Sequence, residues 1–242
     1  MLNMKSLRES LLDDDLVEKA DGIIIKDEIE AFLKENYIGS IKISRKPNVN
    51  GKYEVSSTKN IIVKNYNMTS LTNGMFIWTT VNGSFDCMNC NSLESLEGAP
   101  EKIDEYFSCS YCNSLESLEG APKEVNNFYC IGCRSLKTLK GAPEKVGENF
   151  SCSNCSSLKT LEGAPKEVGR NFTCIDCRSL KTLKGASQMV NGSFYCYNCS
   201  SLTSLNGAPK EIGGNFYCYN CASEFTIEDV KKISNVKGKI KC

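Results

Sequence analysis

The sequence predicts a solenoid of short parallel strands, about 22 residues per coil, with a small α/β cap at its N-terminal side. Three observations predict it. Fourteen of the 15 cysteines fall in seven C-x-x-C pairs, from Cys87/Cys90 to Cys218/Cys221, with steps of 22, 21, 22, 22, 22 and 22 residues. The whole segment repeats with them, as F-x-C-x-x-C-x-S-L-x-x-L-x-G-A-P-x-x-V-x-x-x. Seven apolar positions in each such unit build a core only by stacking on neighbouring units.

The first elements precede the repeats. Residues 5–20 and 22–37 read as helices, with Asp21 as a cap of the second and Ile24, Ile25, Ile29, Phe32 and Leu33 as its apolar face. This segment, 1–38, is expected to shield the first coil. Leu7, Leu11 and Leu12 lie at helical spacing and would suit a docking peptide. Strand-like pieces follow at 41–44, 53–57 and 61–64, with Asn50-Gly51 as a hairpin turn in a strand cap spanning 39–60.

The repeats occupy 61–221. Phe150 and Cys152 are two apart, which is strand spacing with both side chains on one face. Cys155, three further on, faces inward only if the chain bends after Cys152. Leu158 and Leu161 are again three apart, and Gly163-Ala164-Pro165 breaks the arc before Val168 turns back in. Strands are therefore expected near 63–65, 85–87, 107–109, 128–130, 150–152, 172–174, 194–196, 216–218 and 240–242, in one parallel sheet. Val63, Asn65, Met68 and Leu71 read as a degenerate first coil. Ile240 and Cys242 occupy the Phe and Cys slots after a longer insert, within a C-terminal cap at 222–242.

The run Phe150-x-Cys152-x-x-Cys155-x-x-Leu158 resembles the leucine-rich repeat, L-x-L-x-x-[N/C]-x-x-L. With the recurring S-L-x-x-L-x-G-A-P it is similar to the cysteine-containing leucine-rich-repeat proteins of gut bacteria and their bacteriophages. The resemblance covers roughly 61–221. It implies a leucine-rich-repeat solenoid that is curved and used for binding, without catalytic chemistry. Cysteine here replaces a leucine and the usual asparagine.

Three readings of the cysteines stay open. The favoured one is a ladder of buried thiols packing as small hydrophobes. Zinc is the second, because successive pairs match a C-x2-C…C-x2-C spacing. Against it, seven pairs do not divide into fours, and the 22-residue repeat explains the spacing by itself. Disulfides are the third, disfavoured by the lack of an apolar leader near the acidic run Asp13-Asp14-Asp15.

Composition bounds the function. Lys plus Arg and Asp plus Glu are both 29, so no bulk charge argues for nucleic acid or an anionic membrane. No apolar run is long enough to span a bilayer. With no histidine, His-dependent acid/base catalysis, Cys-His and Ser-His pairs and His metal sites are excluded. A non-enzymatic protein-binding scaffold of the cytoplasm, needing no cofactor, is expected. The alternatives are a phage or bacterial structural or assembly protein and a zinc-loaded repeat protein. The positions flanking the first cysteine vary most, reading Asp86, Ser108, Tyr129, Ser151, Thr173, Tyr195 and Tyr217 before it and Met88, Ser110, Ile131, Ser153, Ile175, Tyr197 and Tyr219 after it. Tyr195, Tyr197, Tyr217 and Tyr219 should form one patch, with Tyr129 extending it, as a partner site or as a cover for the solenoid end. Charge around the leucines shifts from Glu94, Glu97, Glu116 and Glu119 to Lys137, Lys140, Lys181 and Lys184, which reads as a solvated face with weak inter-repeat ion pairs.

Overall fold

The computed structural model describes the backbone of residues 14–242 and side chains from residue 25 onward. The expected helix before residue 14 and the Leu7, Leu11, Leu12 face lie outside the described residues. The chain is a parallel β-solenoid of nine coils. A single helix, α1 (Asp14–Asn36), is followed by β1 (Tyr37–Ile38) and β2 (Ile41–Ile43). The coils then run β3 (Tyr53–Ser57) with β4 (Ile61–Val63), β5 (Phe76–Val81) with β6 (Phe85–Asp86), then β7 (Lys102–Ser108) and β8 (Glu124–Tyr129), each a coil by itself. Next come β9 (Lys145–Val146) with β10 (Phe150–Ser151), β11 (Glu167–Val168) with β12 (Phe172–Thr173), and β13 (Met189–Val190) with β14 (Phe194–Tyr195). The last two are β15 (Glu211–Ile212) with β16 (Phe216–Tyr217), and β17 (Asn235–Val236) with β18 (Ile240–Lys241), separated by the short helix α2 (Ile227–Lys231).

Eight of the nine expected strands fall where the Phe–Cys recurrence puts them. The first is displaced: Ile61, not Val63, pairs with Phe85. Ten residues separate Ile61 from Leu71 but eight separate Phe85 from Leu93, so the first bend holds two extra residues. The expectation of one strand per coil is also corrected. Val168 does not merely point inward; it sits in its own strand, and Val146, Val168, Val190 and Ile212 pair in register, coil on coil. The solenoid therefore has two parallel columns, one through the valines and one through the phenylalanines, which β7 and β8 join as continuous strands.

The single 21-residue step lies at this junction. Ile103 and Phe107 are four apart, whereas Val125 and Phe128 are three apart. With a residue missing from its corner, β8 runs straight. The surplus residue of β7 becomes an irregularity between Ile103 and Tyr106, after which Phe107 again pairs with Phe128.

Local chemistry explains each bend. The residue just before the second cysteine is left-handed in all seven coils: Asn89, Tyr111, Gly132, Asn154, Asp176, Asn198 and Asn220, with φ between 54° and 69°. Asn, Asp and Gly tolerate that conformation best. Here the strand direction reverses, which brings the second cysteine inward. Tyr111 is the exception, and its ring lies where a Cβ on Gly132 would stand, 2.6 Å away. At the opposite corner Gly163 has φ +90°, and a Cβ there would lie 2.3 Å from the backbone nitrogen of Lys140. Glycine thus supplies both the turn and the close approach of adjacent coils.

The core is a set of self-stacked columns. Phe85, Phe107, Phe128, Phe150, Phe172, Phe194 and Phe216 are fully buried, with successive ring centroids 5.0–5.9 Å apart. Each such contact adds about 0.5–1.5 kcal/mol beyond area burial. Leu158 and Leu161 and their equivalents are buried on the third side. Asparagines stack at the corner before the phenylalanines: the Asn149 and Asn171 side-chain amides donate to Oδ1 of Asn127 and Asn149 at 2.8 and 3.1 Å.

The N-terminal end is closed by α1, which is one helix through Asp21-Gly22 rather than two, so Asp21 lies within the helix and not at an N-terminus. Its Ile29 and Leu33 are buried. Tyr37, Phe76 and Trp78 cover the first ring of the phenylalanine column, with Tyr37 and Trp78 each about 6 Å from Phe85, at 6.0 and 5.6 Å. The Tyr37 hydroxyl donates to the Leu71 carbonyl. Strands β2 and β3 are antiparallel as expected, but Asn50-Gly51 is the tip of a longer loop, where Asn48 Oδ1 accepts from the Asn50 and Lys52 amides.

Two substitutions test the inside-outside phase. Leu158→Ala should cost about 2–5 kcal/mol in denaturant unfolding, whereas exposed Lys159→Ala should stay within about 0.5 kcal/mol. Gly163→Ala should cost more than the roughly 1–2 kcal/mol of left-handed strain alone, because its Cβ also meets backbone. Equal effects of Leu158→Ala and Lys159→Ala would invert the assigned phase.

Candidate functional site

The two columns present different surfaces. Outside the valine column, charges alternate coil by coil and pair: Lys123 with Glu101 at 2.6 Å, Lys102 with Glu124 at 3.3 Å, Lys166 with Glu144 at 2.9 Å and Lys145 with Glu167 at 2.8 Å. On the leucine side Lys137, Lys140 and Lys184 pair with Glu116, Glu119 and Glu162. These are the inter-repeat ion pairs expected from the charge pattern. All are exposed, so solvent screening leaves each a small contribution to stability.

The outward face of the phenylalanine column is different. It consists of the 14 positions flanking the first cysteines of the seven pairs, and Asp86 is the only charged residue among them, in a chain with 24% charged residues. Their backbone is held by the ladder beneath, for example Cys152 N–H to the Thr173 carbonyl at 2.9 Å and Cys174 N–H to the Tyr195 carbonyl at 2.8 Å. Period-2 alternation puts their side chains outward wherever the cysteine between them points in.

The four C-terminal tyrosines come together on this face. Tyr195 stacks on Tyr217 with centroids 5.0 Å apart and planes at 7°, and Tyr197 on Tyr219 at 4.6 Å and 9°. In-register pairing of β14 with β16 fixes this stacking. Partial burial raises the Tyr197 hydroxyl above its ordinary pKa, and Tyr219 adds to the shift. Lys241 Nζ lies 4.9 Å from the Tyr219 ring centre and closes the patch with a cation–π contact. Tyr129 is not part of the cluster. It lies three coils earlier, about 14 Å along the axis, and packs on Tyr106 at 6.1 Å. Between the two tyrosine groups stand Ser151, Ser153, Thr173 and Ile175, whose side chains are shorter than tyrosine. Tyr106 and Lys241 were missed by the sequence reading, because their partners depend on register across coils.

Beneath this face the thiols are buried, Cys221 partly. From the second pair onward, the second cysteine donates back to the carbonyl of the first cysteine one coil earlier: Cys112 to Cys87, Cys133 to Cys109, Cys155 to Cys130 and Cys177 to Cys152 at 3.1 Å, Cys199 to Cys174 at 3.2 Å and Cys221 to Cys196 at 3.3 Å. First cysteines donate forward, as Cys87 to the Ser108 carbonyl at 3.2 Å and Cys130, Cys174 and Cys196 to those of Ser151, Tyr195 and Tyr217 at 3.4 Å. The thiol thus does the bonding that asparagine does in a polar ladder, with a weaker donor but an apolar body. Burial pushes the thiols of Cys109, Cys130, Cys174 and Cys196 up, which suppresses the reactive thiolate. Among the described residues, no three or more Cys, Asp or Glu side chains converge to hold a metal ion, and no helix is long and apolar enough to cross a membrane.

The fold and this face define a class, a cysteine-ladder β-solenoid with one nearly uncharged side. No protein-family model, curated protein or solved structure matches the chain.

Burial of the thiols sets their reactivity. Native protein should react with far fewer equivalents of a thiol reagent than the about fifteen expected after denaturation, with Cys242, the exposed one, reacting first. Elemental analysis should find no stoichiometric zinc; two or more ions per chain surviving dialysis would replace the thiol ladder with a metal reading.

Proposed function

We propose that the chain is a non-enzymatic binding scaffold that takes a protein partner on the outward face of the phenylalanine column, with Tyr195, Tyr197, Tyr217 and Tyr219 as its anchor and Tyr129 three coils away extending its reach. The observation that carries this reading is the contrast between the two columns. Four successive coils of the valine column pair their charges with one another, while the phenylalanine column offers a long, nearly uncharged strip with stacked aromatics towards its C-terminal side. Tyrosine supplies large apolar area at low entropy cost and keeps a polar tip, and it is enriched at interface hot spots. Because mutual stacking covers one face of each ring, the patch presents ring edges and hydroxyls beside its remaining apolar area, which suits the mixed polar and apolar surface of a polypeptide. Membership among the cysteine-containing leucine-rich-repeat proteins, a cytoplasmic setting and the absence of catalytic activity belong to the same proposal. They are supported by the repeat pattern and by a face without histidine or clustered carboxylates.

The test is quantitative. Affinity capture from a native lysate, repeated with Tyr197→Ala/Tyr219→Ala and with Lys159→Ala, should yield a protein that the double variant binds on the order of thirtyfold more weakly, about 2 kcal/mol. Lys159→Ala, on another side of the coil, should capture it undiminished. Melting temperature should barely move in either variant. A double variant that loses stability but whose folded fraction captures the same protein would make the tyrosines a cover for the solenoid end.

A further inference from the structure

The thiol ladder changes character at one point. In earlier coils Cys87, Cys130, Cys174 and Cys196, each the first cysteine of its pair, give their S–H to a main-chain carbonyl of the next coil. Cys218 instead points at another sulfur: its Sγ lies 2.9 Å from Sγ of Cys242. Strands β16 and β18 pair in register, Phe216 with Ile240 and Tyr217 with Lys241, so Cys218 and Cys242 are directly opposite across one parallel ladder step. Strands in a ladder stand about 4.8 Å apart, inside the roughly 4.4–6.8 Å Cα separation that a disulfide spans. Closing the bond asks the two sulfurs to approach by less than about 1 Å.

Accessibility separates this pair from every other stacked pair. Cys87, Cys109, Cys130, Cys152, Cys174 and Cys196 are 0% exposed, so no soluble oxidant reaches them. Cys218 is 1% exposed, but its neighbour Cys242 is an exposed residue. One accessible thiol next to one sheltered thiol is the arrangement in which a first sulfur reacts with solvent and a second resolves it.

We infer that Cys218 and Cys242 form an oxidisable dithiol, a disulfide site whose oxidant is a low-molecular-weight disulfide such as oxidised glutathione. The Cys242 thiolate attacks one sulfur of that disulfide. The small S–S bond breaks, one small thiol leaves after taking up a proton, and a mixed disulfide remains on Cys242. Cys218 then gives its proton to water and its sulfur attacks Sγ of Cys242, displacing the second small thiol. Two protein thiols are oxidised to one S–S bond, and the small disulfide is reduced to two thiols. Burial raises the Cys218 pKa, which makes the second step the slower one. The new bond clips β18 to β16 and encloses α2 and β17 in a covalent loop. It also fixes the coil that holds Lys241 over Tyr219.

The experiment uses the full chain, reduced and then incubated with oxidised glutathione. Remaining thiols are blocked after denaturation, followed by intact-mass measurement and peptide mapping. The expected product has lost two hydrogens, keeps 13 of its 15 thiols and yields one cross-linked peptide joining Cys218 to Cys242. Cys242→Ser, a change at an exposed position, should abolish the cross-link. Cys218→Ser should leave glutathione trapped on Cys242. Dithiothreitol should reverse the wild-type product. Persistence of the glutathione adduct on wild-type Cys242, a cross-link from Cys242 to Cys221, or retention of all free thiols would each overturn the proposal.

Discussion

Every feature of this molecule follows from one constraint: each side chain in the core must tolerate its own equivalent one ladder spacing above and below. At about 4.8 Å a flat ring can lie against a ring, and seven phenylalanines meet the condition in six successive contacts with centroids 5.0–5.9 Å apart. The remaining room inside the strand and its bend is small and must also meet main-chain carbonyls that the ladder leaves partly satisfied. A thiol is compact, apolar in bulk and a weak donor. Its bonds run both forward and backward along the stack, so each coil is tied to two neighbours by side chain as well as by backbone.

Self-stacking works only between two like neighbours, and an end has one. At the N-terminal end the repeat gives way to shape-matched aromatics. Tyr37 and Trp78 meet Phe85 at tilted and edge-on angles rather than parallel ones, while α1 lays Ile29 and Leu33 over the open core. At the other end Ile240 takes the phenylalanine slot, and α2 is held by a Thr226–Asp229 capping box with Val230 buried. Surface charge follows the same rule. Like charges stacked on themselves would repel, and the valine column alternates Lys and Glu from coil to coil instead.

The repeat period, the strand positions and the inward set were legible because translation along the stack forces the same residue types to recur. Phe150, Cys152, Leu158 and Leu161 needed no further information. The valine column was not recognised as strand, because two residues, Glu167 and Val168, carry no alternation long enough to register. The left-handed bends were legible in principle from Asn, Asp or Gly before the second cysteine, with Tyr111 as the one misleading letter. The break expected at Asp21-Gly22 was a local signal overridden by a continuous helix. Of the candidate site, the four-tyrosine cluster could be read from spacing alone. Its cation and the Tyr106 contact with Tyr129 could not, since both depend on which coil faces which.

The short corner between Val125 and Phe128 has a consequence for how such a chain can change over generations. Within a strand, gaining or losing one residue turns every following side chain from interior to exterior. At this corner one residue is absent, yet Phe107 and Phe128 remain partners and all later coils keep their phase, because the mismatch is absorbed opposite it in β7. The corners are thus the seams at which a gene for this solenoid can accept small insertions and deletions. Heritable length variation should collect there, while the strands on either side keep a fixed count.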